Sequence, residues 1–425
     1  MADITNVTES MRKINLHDVL EEPEQLVFSP HLDDGVAEKV MNNVPRYLFR
    51  VATPKSDGMT NEIWVRSDAA LKDRTASMED IFYNLNTKKR TEVAKILNMH
   101  LRWKKKESLL DNFVSWTSSL LFAIQYIYYR HHTDDTPLEE IKLFVIDTSM
   151  FPRGTFMRDL DLIDIFYDYN KRLRSFRSLR KGGTYYFGEY LSQGSLKIES
   201  KCQLISADLI FEQDRLRRIQ PHFASIRSRT SEWAKPVDRL RRDIWSGPAL
   251  DSITSTEMGD RLQAIEEIMS HISARWQFPV AVYFAALIGA ETSSNDQGSA
   301  DDDVLFAKFH SGAFGYLQGM HEFRPSNFKI IAPDTTPELK QVEKLAREIY
   351  KYSFLRRARD RLYHAELIIR TLHTGSLSLE NGHGSVTADP NPVLTRASQA
   401  VVLKLRRVEM MCHELAMALS FEDDE

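Results

Sequence analysis

Between Pro45 and Pro54 (PRYLFRVATP) side chains alternate in character, which predicts a strand with Tyr47, Phe49 and Val51 on one face and Arg46, Leu48 and Arg50 on the other. A turn at Lys55 to Gly58 and a short strand over Ile63 to Ser67 follow. From Glu79 to Trp103 the spacing changes to three-and-four through Ile81, Leu85, Val93, Ile96, Leu97 and Leu101. That predicts a helix, with a basic outer sector running from Lys88 to Lys106. Asp111 to Tyr129 (DNFVSWTSSLLFAIQYIYY) reads as a strand ending near Phe113-Val114, a hydroxyl cluster at Ser115 to Ser119, and an apolar helix from Leu120 with a Ser or Thr cap. Ile141 to Asp147 predicts a buried strand, and Phe156 to Leu173 a helix. The segment Leu173 to Gly183 is expected to be a basic loop. It leads into Thr184 to Ile198 (TYYFGEYLSQGSLKI), where an aromatic strand gives way at Glu189 to a Ser-Gln-Gly turn. Cys202 to Phe211 supplies one more strand or a turn of helix.

Beyond Arg215 the spacing is helical almost throughout, with helices expected over 256–275, 279–290 and from Val304. Two long stripes follow, Val342 to Leu372 and Leu394 to Ala418, separated by linker-like residues 375–392 and expected to pair as an antiparallel hairpin. The fold class is therefore α+β, a mixed β domain followed by a mainly helical half. The expected divisions are a polar leader 1–43, an α+β domain 44–215, a helical region 216–336 and the hairpin 337–425. There is no GxGxxG or Walker sequence to suggest a doubly wound nucleotide fold.

Composition narrows the classes. With 425 residues, 42% of them hydrophobic, the chain can build sizeable cores, and a net charge of -4 argues against a surface that coats nucleic acid throughout. Two cysteines, Cys202 and Cys412, exclude a disulfide framework, and the first residues lack the apolar core of a signal peptide, so an intracellular placement, cytoplasmic or nuclear, is expected. The apolar run Pro279 to Ala290 is too short to cross a bilayer. His131-His132 with Asp134-Asp135 has no third ligand at a useful spacing, so no metal is expected.

The phrases PRYLFRV, FVSWTSSLLFA and GEYLSQGSL resemble the hallmarks of a family of uncharacterised fungal proteins defined by a domain of unknown function, over residues 44–212. More remotely, they are similar to the Arg, Ser-Thr-Ser and Glu elements of toxin-type mono-ADP-ribosyltransferases, in which these elements line an NAD cleft. That resemblance implies an ADP-ribosyltransferase-like domain with NAD as co-substrate. In it Glu189 and Ser115 would be catalytic, while Arg50, Thr117, Ser118 and Trp116 would bind or orient the cofactor. Two departures accompany it. Phe187 stands where arginine-modifying relatives carry Glu or Gln, so arginine is not the expected acceptor, and the hydroxyl element reads Ser-Trp-Thr-Ser.

Three readings stay open at this level. The first is an NAD-consuming enzyme, transferring ADP-ribose or hydrolysing NAD. The second is a non-catalytic ligand- or protein-binding module whose C-terminal helices bind a protein partner or a second copy. The third, less favoured, is nucleic-acid association through the basic stretches Lys88 to Lys106 and Arg172 to Arg242. No membrane partner is expected.

Overall fold

The computed structural model describes residues 25–30, 40–73, 76–104, 110–182, 185–225, 234–245, 253–289, 300–314 and 336–353, with isolated positions beyond. Residues 1–345 and 346–425 form two compact units. In the second, residues 346–353 are helical; most of the expected hairpin, with its linker, lies outside the described residues.

The first unit is α+β, as the alternation of sequence periods predicts. Its strands are β1 (Tyr47–Ala52), β2 (Met59–Thr60), β3 (Trp64–Arg66), β4 (Phe113–Thr117), β5 (Lys142–Asp147), β6 (Met157–Arg158), β7 (Glu189–Gln193), β8 (Ser195–Lys197) and β9 (Cys202–Ser206). A six-stranded sheet runs β6-β7-β4-β1-β5-β9, and a three-stranded sheet runs β2-β3-β8. Every pairing is antiparallel. Period-two alternation gives the large sheet two apolar faces. Leu48, Trp116, Phe144, Ile146 and Tyr190 meet Val65 and Leu196 of the small sheet. Phe113, Met157 and Leu191 meet helices α2 (Thr87–His100), α4 (Asp159–Phe166) and α5 (Lys171–Lys181). Helices α1 (Asp68–Lys72) and α3 (Leu120–Asp134) complete the N-terminal part. Phe28, from the expected leader, is buried in the same helical core, with its amide on the Gly154 carbonyl at 2.8 Å.

A mainly helical part follows: α6 (Ala207–Phe211), α7 (Arg215–Ile219), α8 (Ala234–Trp245), α9 (Ser255–Met269), α10 (Ala274–Ala286) and α11 (Ala300–His310), then helical residues 337–345. Helix α9 packs against α7, α10 and α11. Tyr283 of α10 sets its ring edge-on to Phe49 at 4.9 Å, so the helical part covers a face of β1. Pro279, expected to open this helix, lies inside it.

Three expectations need correction. Strand β4 begins at Phe113, where a strand was expected to end, so Ser115 and Thr117 lie within the ladder rather than at a junction after it. The stretch read as a basic loop is helix α5: Asn170 accepts hydrogen bonds from the amides of Arg172 and Leu173, and the Arg, Lys and Leu residues that follow are good helix formers. Tyr185, Tyr186 and Phe187 of TYYFGEYLSQ precede a strand rather than form one, and only Tyr190 lies within it. Strand β7 begins at Glu189, and the bend falls at Gly194 with φ +61°.

Candidate functional site

Strands β1, β4 and β7 lie side by side and bring the arginine, hydroxyl and glutamate elements together. β4 and β7 are fully registered, Ser115 opposite Leu191 and Thr117 opposite Glu189. By contrast β1 and β4 share one registered pair, Phe49 with Thr117. The ladder stops there, and a side chain takes over the role of the missing backbone partner: Arg50 Nη1 donates to the Ser115 carbonyl at 2.8 Å. Its Nε donates to Thr60 Oγ1 at 3.0 Å. Among the described residues Arg50 makes no ion pair. Burial lowers its pKa to about 10, with Tyr126 and Asp57 opposing the shift. A cation held this way, with part of its fork uncommitted, suits an incoming anion.

Glu189 is fixed from both sides. Its Oε1 accepts from Ser115 Oγ at 2.7 Å, and its Oε2 from Arg180 Nη2 at 2.5 Å. Arg180 is 2% exposed and also stands 3.3 Å, Nε to Oδ2, from Asp159, which is fully buried. Burial raises the Asp159 carboxyl to about 7; Arg180 opposes this and the Glu189 charge adds to it. Two buried carboxylates thus share one guanidinium, and burial together with the Glu189 charge makes Asp159 hold on to a proton more readily than an ordinary carboxyl would.

Just before Glu189 the chain makes a left-handed turn that any residue larger than glycine would strain. Gly188 has φ +62°, and a Cβ there would lie 2.0 Å from Ser118 Oγ. The Ser118 amide donates to the Gly188 carbonyl at 2.8 Å, and Thr117 Oγ1 to the Phe187 carbonyl at 2.6 Å. The Thr117 and Ser118 side chains are therefore committed to the turn that delivers Glu189. Trp116 is a core residue, 1% exposed, with Nε1 on Ser192 Oγ at 3.0 Å and its ring edge against Phe156. Phe187 is buried and stacked on Phe122 with centroids 4.9 Å apart.

His100, at the end of α2, is a residue the sequence reading passed over. Its Nε2 lies 2.7 Å from Ser115 Oγ and its Nδ1 2.6 Å from Asp111 Oδ2. Burial works to lower its pKa, but Asp111, joined by Glu189, outweighs that and Arg50 and holds the imidazole above the ordinary histidine value. The sequence carries one signal for it, a histidine closing a helix shortly before a hydroxyl strand, masked by the basic sector of that helix.

Arg50, His100, Ser115 and Glu189 line one cleft of about 490 Å³, with Phe122, Tyr126, Tyr129 and Trp103 forming an aromatic wall. The volume falls within the range usual for small-molecule sites. One family model, described as "Domain of unknown function (DUF7587)", matches residues 43–200. No curated protein and no solved structure matches the chain. The matched span contains all four cleft residues, but not everything that holds them. Arg241 of α8 donates Nη1 to the Tyr186 carbonyl at 2.8 Å and pairs through Nη2 with Glu338 at 2.5 Å. Glu338 in turn accepts from Ser119 Oγ at 2.6 Å, and Ser119 caps α3. Helical residues beyond the match thus clamp the turn before Glu189 and the helix after β4.

Among the described residues no group of His, Cys, Asp and Glu side chains could hold a metal ion, and no helix is long and apolar enough to cross a membrane. Much of the basic sequence is engaged internally. Lys89 pairs with Glu79, Arg174 with Asp168, Arg177 and Lys181 with Asp164, and Arg215 and Arg218 with Glu267.

Proposed function

We propose that this chain is an NAD-consuming enzyme of the ADP-ribosyltransferase-like kind, cleaving the bond between nicotinamide and ribose and passing the sugar to water or to another acceptor. The observation that carries this reading is the direct hydrogen-bonded contact of Arg50, Ser115 and Glu189 within one cleft. In this reading the uncommitted part of the Arg50 fork binds a phosphate, and the aromatic wall receives the flat rings of the dinucleotide. Glu189, steered by Ser115, accepts a hydrogen bond from a ribose hydroxyl and stabilises the positive charge that grows on the sugar as the bond breaks. The bonding electron pair leaves with nicotinamide, and the acceptor adds to the anomeric carbon and gives up its proton. Phe187, stacked on Phe122 and already overlain by the Arg180 and Arg241 guanidinium groups, has no carboxylate or amide to hydrogen-bond an arginine acceptor, which fits an acceptor other than arginine.

The test is release of nicotinamide from NAD by the full chain. Wild type should release it and Glu189→Gln should not; a wild type that neither releases nicotinamide nor binds NAD by calorimetry sinks the proposal. A second reading, binding without turnover, is favoured by the Arg180 contact, which neutralises the charge Glu189 would use. It predicts NAD binding with no release.

A further inference from the structure

We propose that His100, anchored by Asp111, is a positioning residue that sets which way the Ser115 hydroxyl proton points, and so makes the hold on Glu189 dependent on pH. Ser115 Oγ carries one proton and has two neighbours at the same distance, His100 Nε2 and Glu189 Oε1, both at 2.7 Å. Asp111 at 2.6 Å fixes a proton on Nδ1, so the state of Nε2 decides the network. As an imidazolium, His100 donates from Nε2 to Ser115, and Ser115 donates to Glu189. As a neutral ring, Nε2 becomes an acceptor and competes for the serine proton, and Glu189 loses that donor.

The surroundings shift the balance toward the first arrangement. Asp111 and, behind Ser115, Glu189 supply negative charge; Arg50 supplies the opposing positive charge, and the ring edge of Phe113 packs on the imidazole at 5.6 Å. The neutral form would complete an Asp-His-Ser arrangement with a nucleophile's geometry, but only by taking from Glu189 the proton that orients it. The function of His100 in this scheme is to prevent that exchange until the pH rises.

The activity arm rests on the NAD reading; a second arm does not. Nicotinamide release by the full-length wild type should fall as pH rises through the His100 pKa, above 6.5. His100→Gln, which cannot titrate, should lower release at about pH 6 and lose that alkaline fall. Asp111→Asn should move the fall toward acid by about one unit. Independently, the His100 ring resonances in NAD-free protein should titrate with a midpoint above 6.5 that drops in both Asp111→Asn and Glu189→Gln. A midpoint at or below 6.5, or an alkaline limb unchanged in His100→Gln, overturns the inference and leaves the NAD reading standing. Absence of NAD cleavage with the coupled titration intact rejects the NAD reading and keeps the relay. An activated-ester hydrolysis that rises with pH and is lost in Ser115→Ala overturns the positioning role in favour of a nucleophilic serine.

Discussion

Arg50 both bridges β1 to β4 and offers its fork to an anion. Arg50→Lys keeps the charge but cannot reach Thr60 and the Ser115 carbonyl together while presenting a planar fork. NAD affinity should fall at least about tenfold, about 1.4 kcal/mol, as calorimetry would show. Asp159 yields a prediction of a different kind. Its folded pKa, about 7, lies above its ordinary 3.8, so the folded chain keeps a proton that the unfolded chain gives up. The stability from this group is fully present below about pH 4 and is lost as pH rises to about 7. Asp159→Asn should remove that decline in a series of thermal melts across pH.

The decisive elements are β7 and the turn before it. Gly188→Ala forces a left-handed backbone on alanine and drives its Cβ into Ser118, so a loss of about 2 kcal/mol or more is expected in denaturant titration. The same variant should lose nicotinamide release, because Glu189 follows directly. Much of this architecture could be read from the sequence: β1, β3 and β5 lie where alternation or a continuous apolar run put them, and α3 starts at its hydroxyl cap, whereas β4 begins at Phe113, where a strand was expected to end, and takes Ser115 and Thr117 into its ladder. The misreadings have local causes. TYYF has the composition of a strand, yet Gly188 at positive φ breaks the extended path, so the ladder starts one residue later. Leu173 to Lys181 looked like a loop because charge and the glycine pair after it outweighed helix propensity; its Asn170 cap was overlooked. Arg180 is hidden by that error, since a basic loop suggests solvent whereas a place seven residues after Leu173, on the same face of a packed helix, suggests a buried partner. His100 and Asp111 could not be paired from the sequence, because the contact depends on how α2 returns over β4.

In the first unit as a whole, the cleft belongs to the N-terminal sheet but is braced from the helical part. Arg241 and Glu338 are 9% and 4% exposed side chain to side chain, and removing one strands the charge of the other. Glu338→Ala should cost about 3–5 kcal/mol in stability. In the fraction that stays folded, the turn holding Glu189 should loosen, measured as faster amide exchange at Gly188 and Glu189. This brace bears on how relatives are to be compared. The family match stops at residue 200, so an alignment drawn to that edge cuts between a working part and its support. Two proteins could then share Arg50, Ser115 and Glu189 and still differ in whether the glutamate is held in place. Sorting them by whether a cation from a later helix reaches the carbonyl three residues before that glutamate would separate the two groups where cleft residues alone would not.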